Sequence, residues 1–226
     1  MLRAQRDGAA VQNDKIFEPV TLITPTAPMS PEVHGGRAKC LQRLVRLDMP
    51  VPLTVALSFD AVHQIAIGNM PDMDALIAPF GDAPLLSVRP SSQDPDWGGP
   101  SAILNIGMND ARHAAMVDQI GEATATALYL RFVRAFAVHV SRLDPDAFDI
   151  PDHADRTTLA RMLEAYEFET EEEFPQDPAV PLAAGVRSMA RAWGGTTARP
   201  VPPAKGPASA CGLGPGAHAL RRAARP

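Results

Sequence analysis

Arg89 stands where a short apolar run, Leu85-Leu86-Ser87-Val88, gives way to the polar stretch Pro90-Ser91-Ser92. The chain then passes through Trp97-Gly98-Gly99 and leaves along a second apolar run, Ile103-Leu104-Asn105-Ile106-Gly107. A strand that carries a guanidinium into a polar, glycine-bearing loop is one way to meet a phosphate chain. The planar five-donor fork of arginine matches phosphate oxygens, and glycine lets backbone N–H groups come close. The same pattern also fits a surface hairpin with one exposed arginine. A second place of this kind is His34-Gly35-Gly36-Arg37-Ala38-Lys39. Exposed N–H groups at the start of a helix, at the positive end of its dipole, make a ready anion site, and Arg37 and Lys39 add formal charge. Glycine before a helix is common, so this signal is weak alone. Paired with Arg89 it becomes a two-sided phosphate grip, whose candidate ligands are Gly35, Gly36, Arg37, Arg89, Ser91, Ser92, Gly98 and Gly99.

Other chemistries find less support. The six histidines (His34, His63, His113, His139, His153 and His218) make no His-x-x-x-His pair, and Cys40 and Cys211 make no Cys-x-x-Cys pair, so the spacing does not predict a metal site. His139 reads as a histidine on the side of a helix. Ser87, Ser91 and Ser92 lack the Gly-x-Ser-x-Gly elbow that a serine nucleophile of that type needs. The acidic run Glu164, Glu167, Glu169, Glu171, Glu172, Glu173 and Asp177 reads as a solvated helix end and linker, with a metal or basic-partner site as the alternative. No catalytic residue is assigned.

The elements that would position the grip can be read from periodicity and punctuation. Pro19–Ile23 fits a short strand, closed by the proline-rich Thr24–Pro31. His34-Gly35-Gly36 opens a helix with Leu41, Leu44 and Val45 at helical spacing, and Asp48 and Pro50 end it. Pro52–Ser58 reads as a strand, Phe59–Gly68 and Asp72–Phe80 as short helices, and Leu85–Val88 with Ile103–Ile106 as a hairpin. Alternating strands and helices argue for an α/β layer. From Asn109 the chain turns helical: Asn109–Gly121 with Asn109 or Asp110 as cap, Ala123–Val140 with the stripe Leu128, Phe132, Phe136 and Val140, then Pro151–Phe168, and finally Pro181–Trp193 with Leu182, Val186, Met189 and Trp193 on one face. Residues 199–226, rich in proline, glycine and alanine, have the composition of a disordered tail.

Bulk properties narrow the class. A chain of 226 residues with 46% hydrophobic and 21% charged residues can bury a substantial core. The net charge of −5 is unevenly spread, because Arg199, Lys205, Arg221, Arg222 and Arg225 leave the preceding body strongly acidic. An acidic body is a poor partner for nucleic acid. Two cysteines form no disulfide framework, which points to a reducing compartment. No run approaches a membrane span and no signal-peptide core is present, so the expectation is a soluble, cytoplasmic protein with no membrane or nucleic-acid partner.

In order along the chain, these segments resemble the N-terminal nucleotide-binding part of pyruvate, phosphate dikinase and, more distantly, of phosphoenolpyruvate synthase. The resemblance runs through His34-Gly35-Gly36-Arg37-Ala38-Lys39, Met49-Pro50-Val51-Pro52, Leu85–Arg89, Ile103-Leu104-Asn105-Ile106-Gly107-Met108-Asn109-Asp110 and Phe174-Pro175-Gln176-Asp177-Pro178. It closes on Arg191-Ala192-Trp193 and Thr197-Ala198-Arg199, covering roughly residues 34–199. It implies the front of an ATP-grasp fold with a helical insert. In that family ATP and Mg²⁺ feed a phosphotransfer that ends, in the whole enzyme, in phosphoenolpyruvate. Arg89 falls on the family arginine that contacts the ATP phosphates, and Arg37 on its phosphate-binding lysine. Arginine at 37 keeps the charge but replaces a compact ammonium with a wide fork. Pro90, Gln93, Asp94 and Asp96 depart from the family pattern, and the two aspartates near bound phosphate call for Mg²⁺ between them.

The resemblance divides the chain into an N-terminal segment (1–33), an ATP-grasp subdomain (34–110), a helical insert (111–174), a return helix (175–199) and a tail (200–226). The sequence stops before the family's second ATP subdomain, its phosphohistidine domain and its pyruvate barrel. The expectation is therefore a truncated relative that binds nucleotide and does not carry the full reaction alone. Its partners would be nucleotide together with a separate chain supplying the rest of the enzyme, or a second copy in a homodimer. The alternatives are a non-catalytic interaction protein and an inactive remnant of the dikinase family. In the tail, Pro200, Pro202, Pro203, Pro207 and Pro215 stand where apolar residues would continue the fold, and proline there opposes helix or central strand.

Overall fold

A computed structural model describes residues 20–82, 84–92, 100–152, 155–194 and 217–222. Within them the chain is a mixed α/β protein. One antiparallel sheet of five strands has the order β1-β2-β5-β3-β4, formed by Val20–Leu22, Thr54–Leu57, Ala217–Arg222, Leu86–Ser91 and Ile103–Ile106. Seven α-helices surround it: α1 (Pro31–Arg46), α2 (Phe59–Ala66), α3 (Met73–Ile77), α4 (Asp110–Ile120), α5 (Glu122–His139), α6 (Arg156–Thr170) and α7 (Ala179–Gly194).

The sheet separates two apolar layers. On one face α1 covers a small cluster of Ile23, Met29, Ala38 and Ala56. On the other, α2 and α7 join α4, α5 and α6 around one continuous core. Strand alternation sorts the side chains between them. Val55, Leu57, Leu86 and Val88 point into the larger core, whereas Ala56 belongs to the α1 layer. Side chains such as Leu57 and Ile65, essentially closed to solvent, each contribute about 1.5–3 kcal/mol.

Most boundaries follow local chemistry visible in the sequence. Ser58, Asp72 and Asn109 cap α2, α3 and α4, and each side chain accepts a hydrogen bond from a first-turn N–H. Two helix starts differ from the sequence reading by about a turn or more. Helix α1 begins at Pro31, one turn before His34, because Ser30 caps it by accepting from the Val33 N–H (3.3 Å) and Pro31 takes a first-turn position where no N–H is needed. Helix α6 begins at Arg156, not Pro151, because Asp155 and Thr158 form a reciprocal capping box.

The largest difference is β5. Six residues of the 199–226 stretch that composition marks as disordered form the central strand, antiparallel to both neighbours, and the rest of that stretch lies outside the described residues. Strands β2 and β3 do not pair with each other, so each offers an edge that Ala217–Arg222 completes. Long-range pairing on two sides outweighs weak local propensity.

Candidate functional site

The two glycine- and arginine-bearing segments, more than fifty residues apart in sequence, are joined directly. Helix α1 is kinked at Gly35, whose φ of 80° and ψ of 164° lie outside helical space. Beyond the kink, the Gly36 N–H donates to the Ser92 carbonyl (2.7 Å) and the Ala38 N–H to Ser91 Oγ (3.3 Å). The second part of α1 thus takes its N-terminal capping from the end of β3. A Cβ on residue 35 would lie 2.5 Å from both Ser91 O and Ser91 Oγ, so only glycine lets helix and strand approach this closely.

This contact assigns different work to the candidate ligands. Gly35 and Ser91 are buried, Ser91 at 1% exposure, and Ser91 Oγ is engaged by Ala38. Both are positioning residues within the junction. Gly36 also spends its N–H on the protein, and Ser92 its carbonyl. Arg37 is exposed beside the kink, and Arg89 is half-buried on β3. Ser87, Arg89 and Ser91 alternate with the core residues Leu86 and Val88, which places the Arg89 side chain on the α1 face of the sheet. Gly98 and Gly99 lie outside the described residues.

Lys39, read as added charge for an anion, is committed elsewhere. Its Nζ donates to the Met29 carbonyl (2.8 Å) and to Gln42 Oε1 (2.9 Å). Fully buried Gln42 donates in turn to the Thr24 (3.1 Å) and Ala27 (2.7 Å) carbonyls. Lys39 and Gln42 tie the proline-rich 24–29 turn to α1, and the exposed guanidinium of this helix start is that of Arg37.

The strings Ile103–Asp110 and Phe174–Pro178 also meet. Gln176 Oε1 accepts from the Asp110 N–H (3.0 Å), its carbonyl accepts from Asn109 Nδ2 (2.8 Å), and its Nε2 reaches Tyr129 Oη (3.4 Å). Tyr129 Oη donates to Asp110 Oδ1 (3.1 Å), and burial drives the phenol far above its ordinary range. Gly107 (φ 103°) runs against the Pro84 carbonyl, 2.5 Å from where a Cβ would stand. These residues form a clamp between β4, α4 and α5, a structural role that spacing alone does not disclose. The double use of Asn109, as cap and as donor to Gln176, is legible only in the first half.

Each acid of the run from Glu164 to Asp177 is exposed, as in a solvated helix end and linker. Among the described residues no group of three or more His, Cys, Asp or Glu is placed to hold a metal ion. No helix among them is long and apolar enough to cross a membrane.

Two histidines near these features are held below the usual imidazole range. His34, beside the kink, is shifted mainly by burial. His113, whose Nε2 lies 2.9 Å from Thr126 Oγ1, is lowered by burial first and by Arg156 next, against opposing pulls from Asp110 and Glu122. The unfolded chain takes up these protons near pH 6.5 while the folded chain resists them. Their contribution to stability is therefore complete above that pH and falls as pH drops below it. Urea unfolding at about pH 7.5 and 5.5 should show the loss, and His113→Asn should flatten it. An unchanged slope would show that His113 takes no part.

As chemistry, the junction offers one exposed and one half-buried guanidinium on a rigid frame, with two nearby backbone donors already used to build that frame. It suits an anion gripped by side chains more than one cradled by backbone. No protein-family model matches the chain, and no curated protein matches it.

Proposed function

We propose that the α1–β3 junction is the phosphate-binding side of a nucleotide site, and that the chain is the ATP-binding portion of a phosphotransferase of the pyruvate, phosphate dikinase type. One observation carries this reading: Gly35-Gly36-Arg37 and Arg89–Ser92 are hydrogen-bonded into a single structure. Arg37 and Arg89 would hold the phosphates. Bound nucleotide would supply the transferable phosphoryl group, and Mg²⁺ would arrive with it. The protein's part in such a transfer is placement and charge neutralisation. Ser91 and Gly35 would fix the helix start so that Arg37 stays in place, and the half-buried setting of Arg89 strengthens its attraction for an anion relative to full exposure. The ATP-grasp architecture belongs to the same proposal.

Titration calorimetry with Mg·ATP tests it. A charge-assisted hydrogen bond is worth about 1.5–3 kcal/mol, so Arg37→Ala and Arg89→Ala should each weaken binding by roughly 10- to 150-fold. Arg37 is exposed, and its replacement should leave the urea midpoint unchanged, separating lost binding from lost fold. No heat at millimolar Mg·ATP would reject nucleotide binding by this chain and leave a non-catalytic interaction protein as the reading.

A further inference from the structure

Among the described residues the sheet consists of two strand pairs, β1–β2 and β3–β4, whose hydrogen-bonded ladders are joined only through β5. Without β5, β2 and β3 border a slot one strand wide, with an unpaired backbone edge on each side. Strand β5 fills it in register with both: Thr54, Val55 and Ala56 face Arg221, Leu220 and Ala219, while Leu86 to Ser91 face Arg222 to Ala217. Helices α1 and α2 pack over β5 from opposite faces, so a seated strand is enclosed and leaves slowly. The slot is built by residues 20–106, whereas the strand that fills it comes after α7, beyond residues 195–216.

That separation governs what fills the slot during folding. While the chain is still unfolded, the 22 residues between α7 and β5 keep the strand near its own slot at an effective concentration in the millimolar range. A second copy near that concentration competes on equal terms, because its 217–222 segment makes the same hydrogen bonds in the same register. We propose that the slot between β2 and β3 accepts strand 217–222 from a second copy as well as from its own chain, so that copies folding together at high concentration exchange β5 and close into a twofold dimer. The exchange is reciprocal and leaves no slot open. Enclosure by α1 and α2 then preserves the dimer on dilution.

Cysteine pairing tests the proposal on the full chain. In a Cys40→Ser, Cys211→Ser background, one variant carries Ser87→Cys and another Arg221→Cys, positions that face each other across β3 and β5. Opposed Cα atoms in an antiparallel pair lie about 4.5–5.5 Å apart, within disulfide range. The two variants are unfolded, mixed, refolded together and oxidised. At about 0.5 mM a covalent dimer linked 87–221 should form, at least about tenfold more than at about 5 µM. The double variant Ser87→Cys/Arg221→Cys should close within one chain at low concentration. The unaltered chain refolded at about 0.5 mM should contain a dimer by light scattering that persists on dilution and is at least about tenfold scarcer after refolding at about 5 µM. The proposal is overturned if the mixed variants give no 87–221 link, if the double variant fails to close, or if the unaltered chain is monomeric at both concentrations.

Discussion

Gly35→Ala should cost about 2–6 kcal/mol of stability, from two sources of comparable size. The first is the backbone: φ 80° and ψ 164° fall in a region that only glycine occupies at little cost, and an alanine held there loses about 1–3 kcal/mol. The second is the contact. The new methyl group would meet Ser91 O and Ser91 Oγ at 2.5 Å and the Ser91 carbonyl carbon at 2.7 Å, an overpacking that costs roughly 1–3 kcal/mol more. Gly121 separates the two, because its φ of 84° and ψ of 153° nearly repeat those of Gly35 while nothing lies within 4 Å of the position a methyl group would take. Gly121→Ala should therefore show the backbone share alone. Adding Ser91→Ala to Gly35→Ala should recover only part of the loss, since the Ser91 carbonyl stays in the way. Urea midpoints of the parent and the three variants decide the matter. Equal losses at Gly35 and Gly121 would mean that α1 and β3 do not approach as described, and the frame for Arg37 would go with them.

The glycine pair was visible in the sequence, but its work was not. Exposed N–H groups at a helix start look the same in a sequence whether they await a ligand or a strand. Here Gly36 and Ala38 donate to Ser92 and Ser91, partners that local pattern cannot supply. Caps and periodicity made the helices and hairpin legible: Ser58, Asp72 and Asn109 act where their side-chain chemistry puts them. Ser30-Pro31 carried the same information, masked by the prolines around it. Strand β5 was not legible, because Ala217–Arg222 follows a proline- and glycine-rich stretch and owes its place to edges more than a hundred residues earlier. Lys39 shows the converse: its charge was plain, and its partners at Met29 and Gln42 were set by how the 24–29 turn folds back.

Phe174→Ala should be as damaging as Gly35→Ala, by a different route. The ring lies at the centre of an aromatic group, with centroids 5.1 Å from Tyr166, 5.5 Å from Phe132, 5.6 Å from Phe136 and 6.1 Å from Tyr129, all near edge-on. Truncating a buried phenylalanine costs about 3–5 kcal/mol through lost transfer energy and the cavity left behind. The four ring pairs share one side chain, so their separate energies do not add to that figure. Phe174 also anchors the segment that carries Gln176, whose amide joins Asp110 and Tyr129. Its loss should speed hydrogen exchange at the start of α4 and weaken the near-ultraviolet aromatic signal. Gln176→Ala removes the polar clamp without opening the aromatic core and should cost only about 1–3 kcal/mol. If it proved as costly as Phe174→Ala, the clamp rather than the aromatic packing would be what joins α4–α6 to the sheet. Neither change touches the separate apolar layer under α1, so Mg·ATP affinity per folded molecule should survive both. Loss of binding in Phe174→Ala that remains folded would tie the proposed nucleotide site to the helical side of the sheet as well as to the α1–β3 junction.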